Sequence, residues 1–545
     1  MFSPLAHAET QPTYYIVNGA VDKEDPHLPN EDLKKSEPYS PWYNRYSDFA
    51  SGYTICYPLN MKIDASLSEV RTIFSNAETQ IEVYADRLDQ GSNTASAYLH
   101  DYDQFANNKQ DHSIVTDRSF TSNGFDIHLI KWSRHKLATV PNDKNNYVSI
   151  EMTKNSIDAY TILIKSTDPI TNEMQLLAGF QALPKKGVAG IYQHYSPTKH
   201  PLNDETKAFQ KKFFSENSPL RWGMYEPNAP EDFDYLTRLE TSLDYTFPIV
   251  IRYQSLDENF PAVSLKNAYD HKKFVELSLQ TFHYQQNNQS VLYDILDGRY
   301  DDYFNNYAQD VKTFGHPILL RLDNEMNGLW CPYAGYFFSK DSDLFKAVWR
   351  HIYDIFTANQ VTNVLWVWNP NDESMPRAKW NHFLNYYPGN DYVDIVGMTG
   401  YNPGTTVAGE NWREFADIYD PLYAKYSRLF DQPLIIGEFS SSSVGGDKPT
   451  WMQKMFDQVG KYDRLKVAIW WNHCDFDSDG NITHPYRMDN NLAEIETFRQ
   501  GLAAYPESPA ETTEPTKAVK TPVPKSPNAT KTTIKNQEKS EKSKK

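Results

Sequence analysis

The stretch Ile318–Gly328 reads ILLRLDNEMNG and changes character halfway along its length. An apolar start, typical of a buried strand, gives way to polar residues where that strand should end. Side chains alternate along a strand, so we predict that Arg321, Asp323 and Glu325 lie on one side and face inward. Buried charged groups cost free energy unless they pair with each other or with a ligand. The pattern therefore predicts a strand that ends at a functional site.

Short apolar runs of this kind alternate with amphipathic segments over residues 215–505. The predicted strands are Trp222–Tyr225, Pro248–Tyr253, Val275–Thr281, Ile318–Leu322, Val364–Trp368, Asp394–Met398, Leu434–Ile436 and Val467–Trp470. The predicted helices between them include Tyr300–Thr313, Ser342–Ala358, Trp412–Phe430 and Trp451–Tyr462. Eight strands, each followed by a helix or a long loop, predict an α/β fold of the (β/α)8 (TIM) barrel type. The alternative, a doubly wound open sheet, would favour a Gly-rich phosphate turn after its first strand, and the sequence has none.

A second unit, smaller and β-rich or α+β, is predicted at residues 40–185. Its strands are predicted at Tyr53–Tyr57, Ile81–Tyr84, Ile127–Trp132 and Tyr160–Lys165, and its helical stretches near 67–76 and 152–158. Carbohydrate binding, attachment to another protein and support of the barrel are all open as its task. Residues 186–214 are predicted to be a linker.

The two ends of the chain have a different character. Residues 1–39 are predicted to be a leader that begins with a signal-peptide remnant, because Ala6-His7-Ala8 has the small-x-small form of a signal peptidase site. Residues 506–545 contain no aromatic residue and are rich in Pro, Thr and Lys. Such a segment cannot bury enough apolar surface to offset its chain entropy, so we predict a disordered tail.

Composition excludes some classes of protein. The net charge of −17 opposes binding of nucleic acid, which requires a basic face. The tail has the opposite sign, with nine Lys against five Glu, and this favours association with an anionic cell envelope. No apolar stretch approaches the length of a membrane span. The chain contains 12 Trp and 37 Tyr, enough rings for a core or for the floor of a carbohydrate groove.

A second strand end carries an isolated carboxylate. Pro433–Ser440 reads PLIIGEFS, an apolar run followed by Gly437 and Glu438. In a (β/α)8 barrel, functional groups lie where strands end and the following loops begin, so Glu325 and Glu438 would meet across the top of the barrel. Glycoside hydrolysis requires such a pair, in which one carboxyl protonates the leaving oxygen and the other attacks or activates water. Each glutamate alone is equally well explained as a salt-bridged strand end.

Five short runs resemble glycoside hydrolase family 26, a family of (β/α)8-barrel β-glycanases such as β-mannanases and mixed-linkage β-glucanases. They are Asp297–Asp301 (DGRYD), Arg321–Trp330 (RLDNEMNGLW), Trp366–Asn371 (WVWNPN), Asp394–Asn402 (DIVGMTGYN) and Ile436–Phe439 (IGEF). They occur in the order of the family, and the resemblance covers about residues 215–505. The resemblance implies a glycoside hydrolase that cleaves O-glycosyl bonds.

The resemblance also implies a role for each site residue. Glu325 would be the general acid/base, and Glu438 would be the nucleophile, held ionised by Arg321 and the hydroxyl of Tyr401. Trp330 would stack on a sugar near the cleaved bond. Three further tryptophans would extend the aromatic floor, with core packing as the alternative for each: Trp368, Trp470 and Trp471.

Two positions depart from the family pattern. Asn324 stands where family 26 usually has His before the acid/base, and Asn before Glu is the more general pattern of the clan, in which the amide contacts the sugar 2-hydroxyl. Thr399 stands where the family often has a carboxylate, two residues before Tyr401. The departures leave the reaction in place and remove any basis for naming the sugar.

The remaining signals are weaker. His283 follows the third strand and is a candidate for the cleft, although a lone His is more often structural. The run Asp475–Asn481 begins like a calcium loop, but Tyr486 occupies the twelfth position and excludes a full EF-hand. A solvated acidic turn is favoured, and a loop-stabilising calcium is left open as the alternative. Three cysteines match neither a disulfide framework nor a zinc motif. No cofactor or metal is expected.

We therefore expect a secreted or cell-surface bacterial enzyme, a retaining endo-β-glycosidase that degrades a polysaccharide. Mannan, glucan, xylan and bacterial exopolysaccharide are all open as substrate, and so is endo against exo action. The alternatives are a polysaccharide-binding or envelope-associated module without turnover, and a transglycosylase with the same site residues.

Overall fold

The computed structural model describes residues 12–22, 31–89, 91, 93–286 and 289–505 of the 545-residue chain. All of them belong to one compact unit, Met1–Pro506. The signal-peptide remnant and the predicted disordered tail lie outside the described residues.

The N-terminal part is a sandwich of two antiparallel sheets. One sheet has the order β13-β5-β4-β3-β1-β2 and the other β6-β7-β8-β12-β11-β10-β9. The strands are β1 (Tyr14–Val17), β2 (Ala20–Asp22), β3 (Leu33–Pro38), β4 (Tyr43–Asp48), β5 (Tyr53–Pro58), β6 (Lys62–Asp64), β7 (Thr72–Ser75), β8 (Thr79–Arg87), β9 (Ser113–Ser122), β10 (Phe125–Ser133), β11 (Asn146–Thr153), β12 (Asp158–Ser166) and β13 (Gln181–Ala182). Alternate side chains of both sheets, such as Tyr46 and Ile162, fill the core between them.

The four predicted strands of this part are present, but the two predicted helical stretches are wrong. Residues 67–76 form a turn followed by β7, and residues 152–158 contain the end of β11 and the turn into β12. In that turn the Asn155 carboxamide oxygen accepts hydrogen bonds from the backbone N–H groups of Ile157 and Asp158, so the local polar bonds favour a hairpin over a helix. The helices are instead α1 (Ala95–His100) and α2 (Glu173–Ala178).

The segments predicted as leader and linker also contain folded elements. Strands β1 to β3 lie within residues 1–39 and extend the first sheet: β3 pairs with β4, β1 with β3, and β2 with β1. Helix α3 (Asp204–Phe214) lies within residues 186–214. Its Phe209 and Phe213 pack against inward-facing residues of the barrel such as Leu319 and Val367, so α3 closes the N-terminal end of the barrel.

Eight parallel strands close into a barrel in chain order. The barrel strands are β14 (Arg221–Tyr225), β15 (Ile249–Ser255), β16 (Phe274–Gln280), β19 (Ile318–Leu322), β20 (Val364–Trp368), β21 (Ile395–Thr399), β22 (Leu434–Phe439) and β23 (Leu465–Trp471). Two hairpins follow barrel strands: β17 (Phe282–His283) with β18 (Gln289–Ser290), and β24 (Cys474–Phe476) with β25 (Ile482–Pro485). This confirms the predicted barrel and all eight of its strands, which the sequence places to within a few residues.

Helices surround the barrel and bury their apolar faces on it. They are α4 (Asp234–Leu243), α5 (Ala262–Asp270), α6 (Leu292–Leu296), α7 (Asp301–Phe314), α8 (Ser342–Ala358), α9 (Phe415–Leu429), α10 (Lys448–Val459) and α11 (Leu492–Leu502). In the part of the chain that the structure describes, no helix is long and apolar enough to cross a membrane.

The sandwich packs on the barrel through the loop between β19 and α8. The indole N–H of Trp132 donates to Ser339 Oγ at 3.1 Å, and Lys165 lies 2.8 Å from the Asp341 carboxylate. Trp132, Tyr147 and Trp380 belong to one buried cluster that crosses the junction. The loop that follows β19 also carries Glu325, so the sandwich supports a segment that begins at the predicted site.

Candidate active site

A pocket of about 650 Å³ opens at the C-terminal ends of the barrel strands. Every barrel strand, or the loop that follows it, contributes to its lining: Tyr225, Tyr253, Gln280, Glu325, Asn371, Tyr401, Glu438 and Trp471. The side chains that chemistry requires therefore lie where a (β/α)8 barrel places its functional groups. The two glutamates identified from the sequence line the same pocket.

Glu325 reaches the pocket by a turn and not by strand alternation. Strand β19 ends at Leu322, and Asp323 and Glu325 both have left-handed backbones, with φ of 46° and 54°. Asp323 consequently turns away from the pocket, and its carboxylate accepts hydrogen bonds from the backbone N–H and hydroxyl of Thr281 at 2.7 and 2.8 Å. The prediction that Asp323 shares a face with Glu325 is wrong for this reason. A left-handed non-glycine residue costs free energy, and such residues are often found at functional sites.

Neutral donors hold the Glu325 carboxyl. Asn371 Nδ2 donates to Oε1 at 2.5 Å, while Asn324 Nδ2 and Trp330 Nε1 lie 3.3 and 3.4 Å from Oε2. The side chain is almost fully buried, and this burial raises the pKa of Glu325 above its ordinary value. A carboxyl group in such surroundings favours the protonated form, which a general acid needs.

Glu438 has a cation and a hydroxyl as its partners. Arg321 Nη2 lies 2.8 Å from Oε2, and the Tyr401 hydroxyl donates to Oε1 at 3.2 Å. Burial, together with the charge of Asp475, raises the pKa of Glu438 to about 8. The ion pair with Arg321 and the Tyr401 hydrogen bond favour the ionised form by contrast. A Cβ atom at Gly437 would overlap Asn369 Oδ1 and lie 3.1 Å from Arg321 Nη1. Glycine at this position therefore allows the close approach of Asn369 and Arg321.

Arg321 serves two buried carboxyl groups. Its Nε lies 2.9 Å from Glu276 Oε1 on the neighbouring strand β16, and neither side chain is exposed to solvent. Burial raises the pKa of Glu276 to about 7, and Arg321 opposes this rise. One guanidinium cannot neutralise two buried carboxylates, so Glu276 and Glu438 compete for one positive charge. Glu438 has the additional Tyr401 contact, whereas no described residue other than Arg321 contacts the Glu276 carboxyl with a donor. On this geometry we assign the shared proton to Glu276, although burial raises the pKa of both carboxyl groups.

Three other predicted binding residues line the pocket. The Trp330 ring is half exposed at the rim, and Gly328 makes room for it, since a Cβ there would lie 2.5 Å from the indole ring. Trp471 stacks on Tyr225 with ring centroids 3.8 Å apart. Asn324 presents its amide to the pocket while Gln280 Nε2 donates to its Oδ1 at 3.1 Å. Rings and amides are thus available for the flat faces and the hydroxyls of sugars.

The structure places three predicted binding residues elsewhere. Trp368 and Trp470 are fully buried, the first against Tyr387 and the second against Phe439, so neither ring reaches the pocket surface. The prediction that these two rings extend the aromatic floor is therefore wrong. Both side chains point outward from the barrel into the helix layer. His283 does not line the pocket either. Its ring bonds Asp257 and Tyr300 at 2.9 and 2.8 Å.

Several residues of the site were not identified from the sequence. Asn371 makes the shortest contact to Glu325 and is the last residue of the motif Trp366–Asn371. Its position directly after an apolar strand could have identified it. Glu276 interrupts an otherwise apolar strand, which is a signal of the same kind. Tyr486 comes from the loop after β25 and packs against Tyr401 at 4.9 Å, and no local pattern predicts that contact.

The departure at Thr399 has a structural explanation. Its side chain is buried, and its hydroxyl accepts a hydrogen bond from Asn369 Nδ2 at 2.8 Å. Asn369 in turn accepts the Glu325 backbone N–H at 2.8 Å through its carbonyl. Thr399 therefore acts through Asn369 on the turn that carries Glu325, and it does not line the pocket.

One group of side chains in the part that the structure describes has the spacing of metal ligands. It consists of Asp103, His128 and Glu151, whose ligand atoms lie within 4.8 Å of one another. The Lys340 ammonium contacts both carboxylates, and the pKa of His128 rises to about 9 mainly through its hydrogen bond and charge contact with Glu151, against the effect of burial. The Lys340 ammonium therefore takes the place of a metal ion between the two carboxylates, and the group is a buried ion cluster outside the pocket.

The calcium-like run forms a closed turn. The Asp477 carboxylate accepts hydrogen bonds from the backbone N–H groups of Asp479 and Asn481 at 3.0 and 2.8 Å, between β24 and β25. Its oxygens are thus used in the hairpin. The three cysteines, Cys56, Cys331 and Cys474, are free and buried.

A closed (β/α)8 barrel with two glutamates across its C-terminal mouth is typical of the class of the glycoside hydrolases. Within this class, residues 269–442 match the family model described as "Glycosyl hydrolase family 26". The matched segment includes both Glu325 and Glu438. The resemblance drawn from the motifs is thereby confirmed: this part of the barrel is similar to the family 26 glycoside hydrolases.

Two curated relatives are similar to part of this chain. "Endoglucanase H" of Acetivibrio thermocellus is 33% identical over 220 residues, which are 40% of this chain and 23% of that protein. "Mannan endo-1,4-beta-mannosidase A and B" of Caldalkalibacillus mannanilyticus is 27% identical over 187 residues, 33% of this chain and 31% of that protein. The chain therefore spans about a quarter to a third of the length of these relatives.

Solved structures match this chain at low sequence identity. A family 26 β-mannanase from Bacteroides ovatus is 16% identical, with a TM-score of 0.43, and the match covers 55% of this chain and 93% of that one.

Proposed function

We propose that this protein is a retaining endo-β-glycosidase that hydrolyses a β-linked polysaccharide by double displacement. The observation that carries the proposal is the unequal environment of two carboxyl groups in one pocket. Glu325 contacts neutral donors, whereas Glu438 contacts the Arg321 guanidinium. Environments that separate two carboxyl groups in this way assign the acid to one and the nucleophile to the other.

In the first step, Glu438 attacks the anomeric carbon while Glu325 gives its proton to the departing glycosidic oxygen. The bond to the leaving sugar breaks, and a covalent glycosyl–Glu438 ester forms. In the second step, Glu325 takes a proton from water, and the resulting hydroxide attacks the same carbon. This releases Glu438 as a carboxylate and returns the proton to Glu325, so the anomeric configuration is retained.

The pocket supports a polymeric substrate. It is open at the barrel mouth and has a ring at its rim, Trp330, and a stacked ring pair, Trp471 and Tyr225, on its floor. Mannan, glucan, xylan and bacterial exopolysaccharide are the candidates. A polysaccharide is encountered outside the cell, so we also propose a secreted or cell-surface location, with the basic tail as the contact to an anionic envelope.

The test is the release of reducing sugar from a panel of these four polysaccharides. Proton NMR of the first product gives the anomer, and the β-anomer is expected. Glu438→Ala should abolish release without loss of polysaccharide binding, and Glu216→Ala, at an exposed glutamate away from the pocket, is the matched control. Binding of polysaccharide without cleavage by the wild type would replace the hydrolase with a binding module. Transfer of glycosyl units to added sugar acceptors, with little hydrolysis, would identify a transglycosylase.

The acid role has its own test. Glu325→Gln should reduce the rate on a polysaccharide by roughly 10²–10⁴-fold, the usual contribution of general acid catalysis. Aryl β-glycosides with good leaving groups need no proton in the first step and should lose far less in that step. Equal losses on both kinds of substrate would contradict the assignment of Glu325 as the acid.

A further inference from the structure

A second cavity, of about 530 Å³, adjoins the catalytic pocket. Trp330 and Pro332 line both cavities, and the Trp330 ring is 50% exposed at their boundary. We call the second one the outer cavity. Its volume lies within the range of roughly 300–1,000 Å³ that is typical of ligand sites. A polymer that passes the catalytic pair toward Trp330 meets this cavity next.

The outer cavity has one wall from the barrel and one from the sandwich. The barrel supplies Phe337 and Phe338 from the loop after β19, and the sandwich supplies polar residues of the segment 104–111. These are Gln104, Asn108, Gln110 and Asp111, with the buried ring of Phe105 beneath them. Aromatic surface next to amide and carboxylate groups is the combination that recognises the C–H faces and hydroxyls of sugars.

Polar contacts fix the sandwich wall to the barrel. The Tyr336 hydroxyl donates to the Asp101 carbonyl at 3.0 Å, and His112 Nε2 lies 2.9 Å from the Tyr293 hydroxyl. Between these two contacts, Lys340 pairs with Asp103 at 2.6 Å, buried from solvent. The wall is therefore held against the same loop that carries Glu325 and Trp330, so a sugar in the outer cavity keeps a defined distance from the reacting bond.

We propose that the outer cavity is a glycan subsite, built jointly by the sandwich and the barrel, which binds neutral sugar residues of the chain that is being cleaved. The proposal rests on the proposed function and extends it. Neutrality follows from the charges. Asp111 is the charged side chain that lines the outer cavity. In the catalytic pocket the basic groups are already paired, Arg413 with Asp372 and His484 with Glu410, so the carboxylates Glu373 and Asp475 remain in excess. Uronate groups would be repelled by these carboxylates, whereas hydroxyl groups can donate hydrogen bonds to them.

The test compares substrates that reach the outer cavity with substrates that do not. The double variant Gln104→Ala/Gln110→Ala removes two amides at exposed positions, and Gln181→Ala, on an edge strand of the same sandwich, is the matched control. The kcat/KM for the cleaved polysaccharide and for its longer oligosaccharides should fall roughly 5- to 150-fold, the value of two hydrogen bonds. The kcat/KM for a single-sugar aryl β-glycoside should be unchanged.

A second readout does not depend on turnover. In the inactive Glu438→Ala background, the same double variant should weaken the binding of a long neutral oligosaccharide, measured by calorimetry, by a similar factor. Uronic acid oligomers should bind neither form.

Three results would overturn the proposal. Equal losses on the aryl glycoside and on the polymer would show a structural role of the two amides. An unchanged kcat/KM of the double variant on every substrate would show that the outer cavity is not a subsite, and the proposed function would be unaffected. Failure of the wild type to cleave any glycan would refute the proposed function, and the extension with it.

Discussion

Glu276→Gln should stabilise the protein at alkaline pH and leave its activity in place. Burial raises the pKa of Glu276 from its ordinary value of 4.5 to about 7. A group whose pKa is raised on folding favours the folded state below its unfolded pKa, and this contribution is lost as the pH rises through the folded pKa. The shift of 2.5 units, at about 1.4 kcal/mol per unit, corresponds to about 3 kcal/mol that the wild type loses between pH 4.5 and pH 7. Glutamine imitates the protonated form at every pH and avoids this loss.

The assay is thermal or denaturant unfolding between pH 4 and pH 9, with Glu216→Gln as the control at an exposed site. Both proteins should unfold alike near pH 4, and Glu276→Gln should be more stable by about 3 kcal/mol at pH 9. The acidic limb of the activity profile should stay in place or move to lower pH, because Arg321 then serves Glu438 alone. A stability difference that does not change with pH would refute the assignment of the proton to Glu276. So would an activity loss comparable to that of Glu438→Gln.

Three further substitutions test other parts of the argument. Lys340→Met leaves the buried carboxylates of Asp103 and Glu151 without their cation, so the free energy of unfolding should fall by roughly 3–5 kcal/mol. Lys340→Arg keeps the charge and should lose less stability. An unchanged Tm of Lys340→Met would contradict the role of the cluster. Tyr401→Phe removes one hydrogen bond from Glu438, so the acidic limb should move to higher pH, measured as kcat/KM against pH; a shift to lower pH would contradict it. Trp368→Ala should lower the free energy of unfolding by roughly 3–5 kcal/mol and leave KM unchanged. A raised KM with unchanged stability would show that the Trp368 ring contacts the substrate.

The barrel could be predicted because its strands carry strong local signals. Strands that are buried on both faces are continuous apolar runs, and amphipathic helices such as α8 separate them. The sandwich was predicted less accurately. Its strand β7 is short and polar at both ends, and only pairing with β6 and β8 makes it a strand. Distant partners of this kind leave no local pattern, and the same applies to strands β1 to β3 in the predicted leader.

The sequence identified site residues whose type is unusual for their position, such as an acidic residue at the end of an apolar strand. It did not identify those for which the backbone geometry decides which way the side chain points. Glu325 and Glu438 are acidic residues at the ends of apolar runs, and this was sufficient to find them. Trp368 and Trp470 belong to similar runs, but one residue of alternation decides between the pocket and the helix layer, as the contrast between Trp470 and Trp471 shows. The turn at Asp323 breaks that alternation. The side of the strand on which Arg321 lies therefore does not predict where the side chains of Asp323 and Glu325 point.

The two roles in the pocket depend on which partners are charged. Asn324 stands next to Glu325 where the family usually has His, and its amide is neutral at every pH. A protonated imidazole at this position would lower the pKa of Glu325 and favour early loss of its proton. With the amide, burial sets the direction against the Asn371 hydrogen bond and the charge of Arg321, so the proposed acid keeps its proton. The only positive charge that contacts the catalytic pair, among the residues that the structure describes, is then Arg321, and Glu276 moderates it from within the barrel. The departure at Asn324 thus agrees with the separation of acid and nucleophile, and the identity of the sugar depends on the rings and amides farther from the cleaved bond.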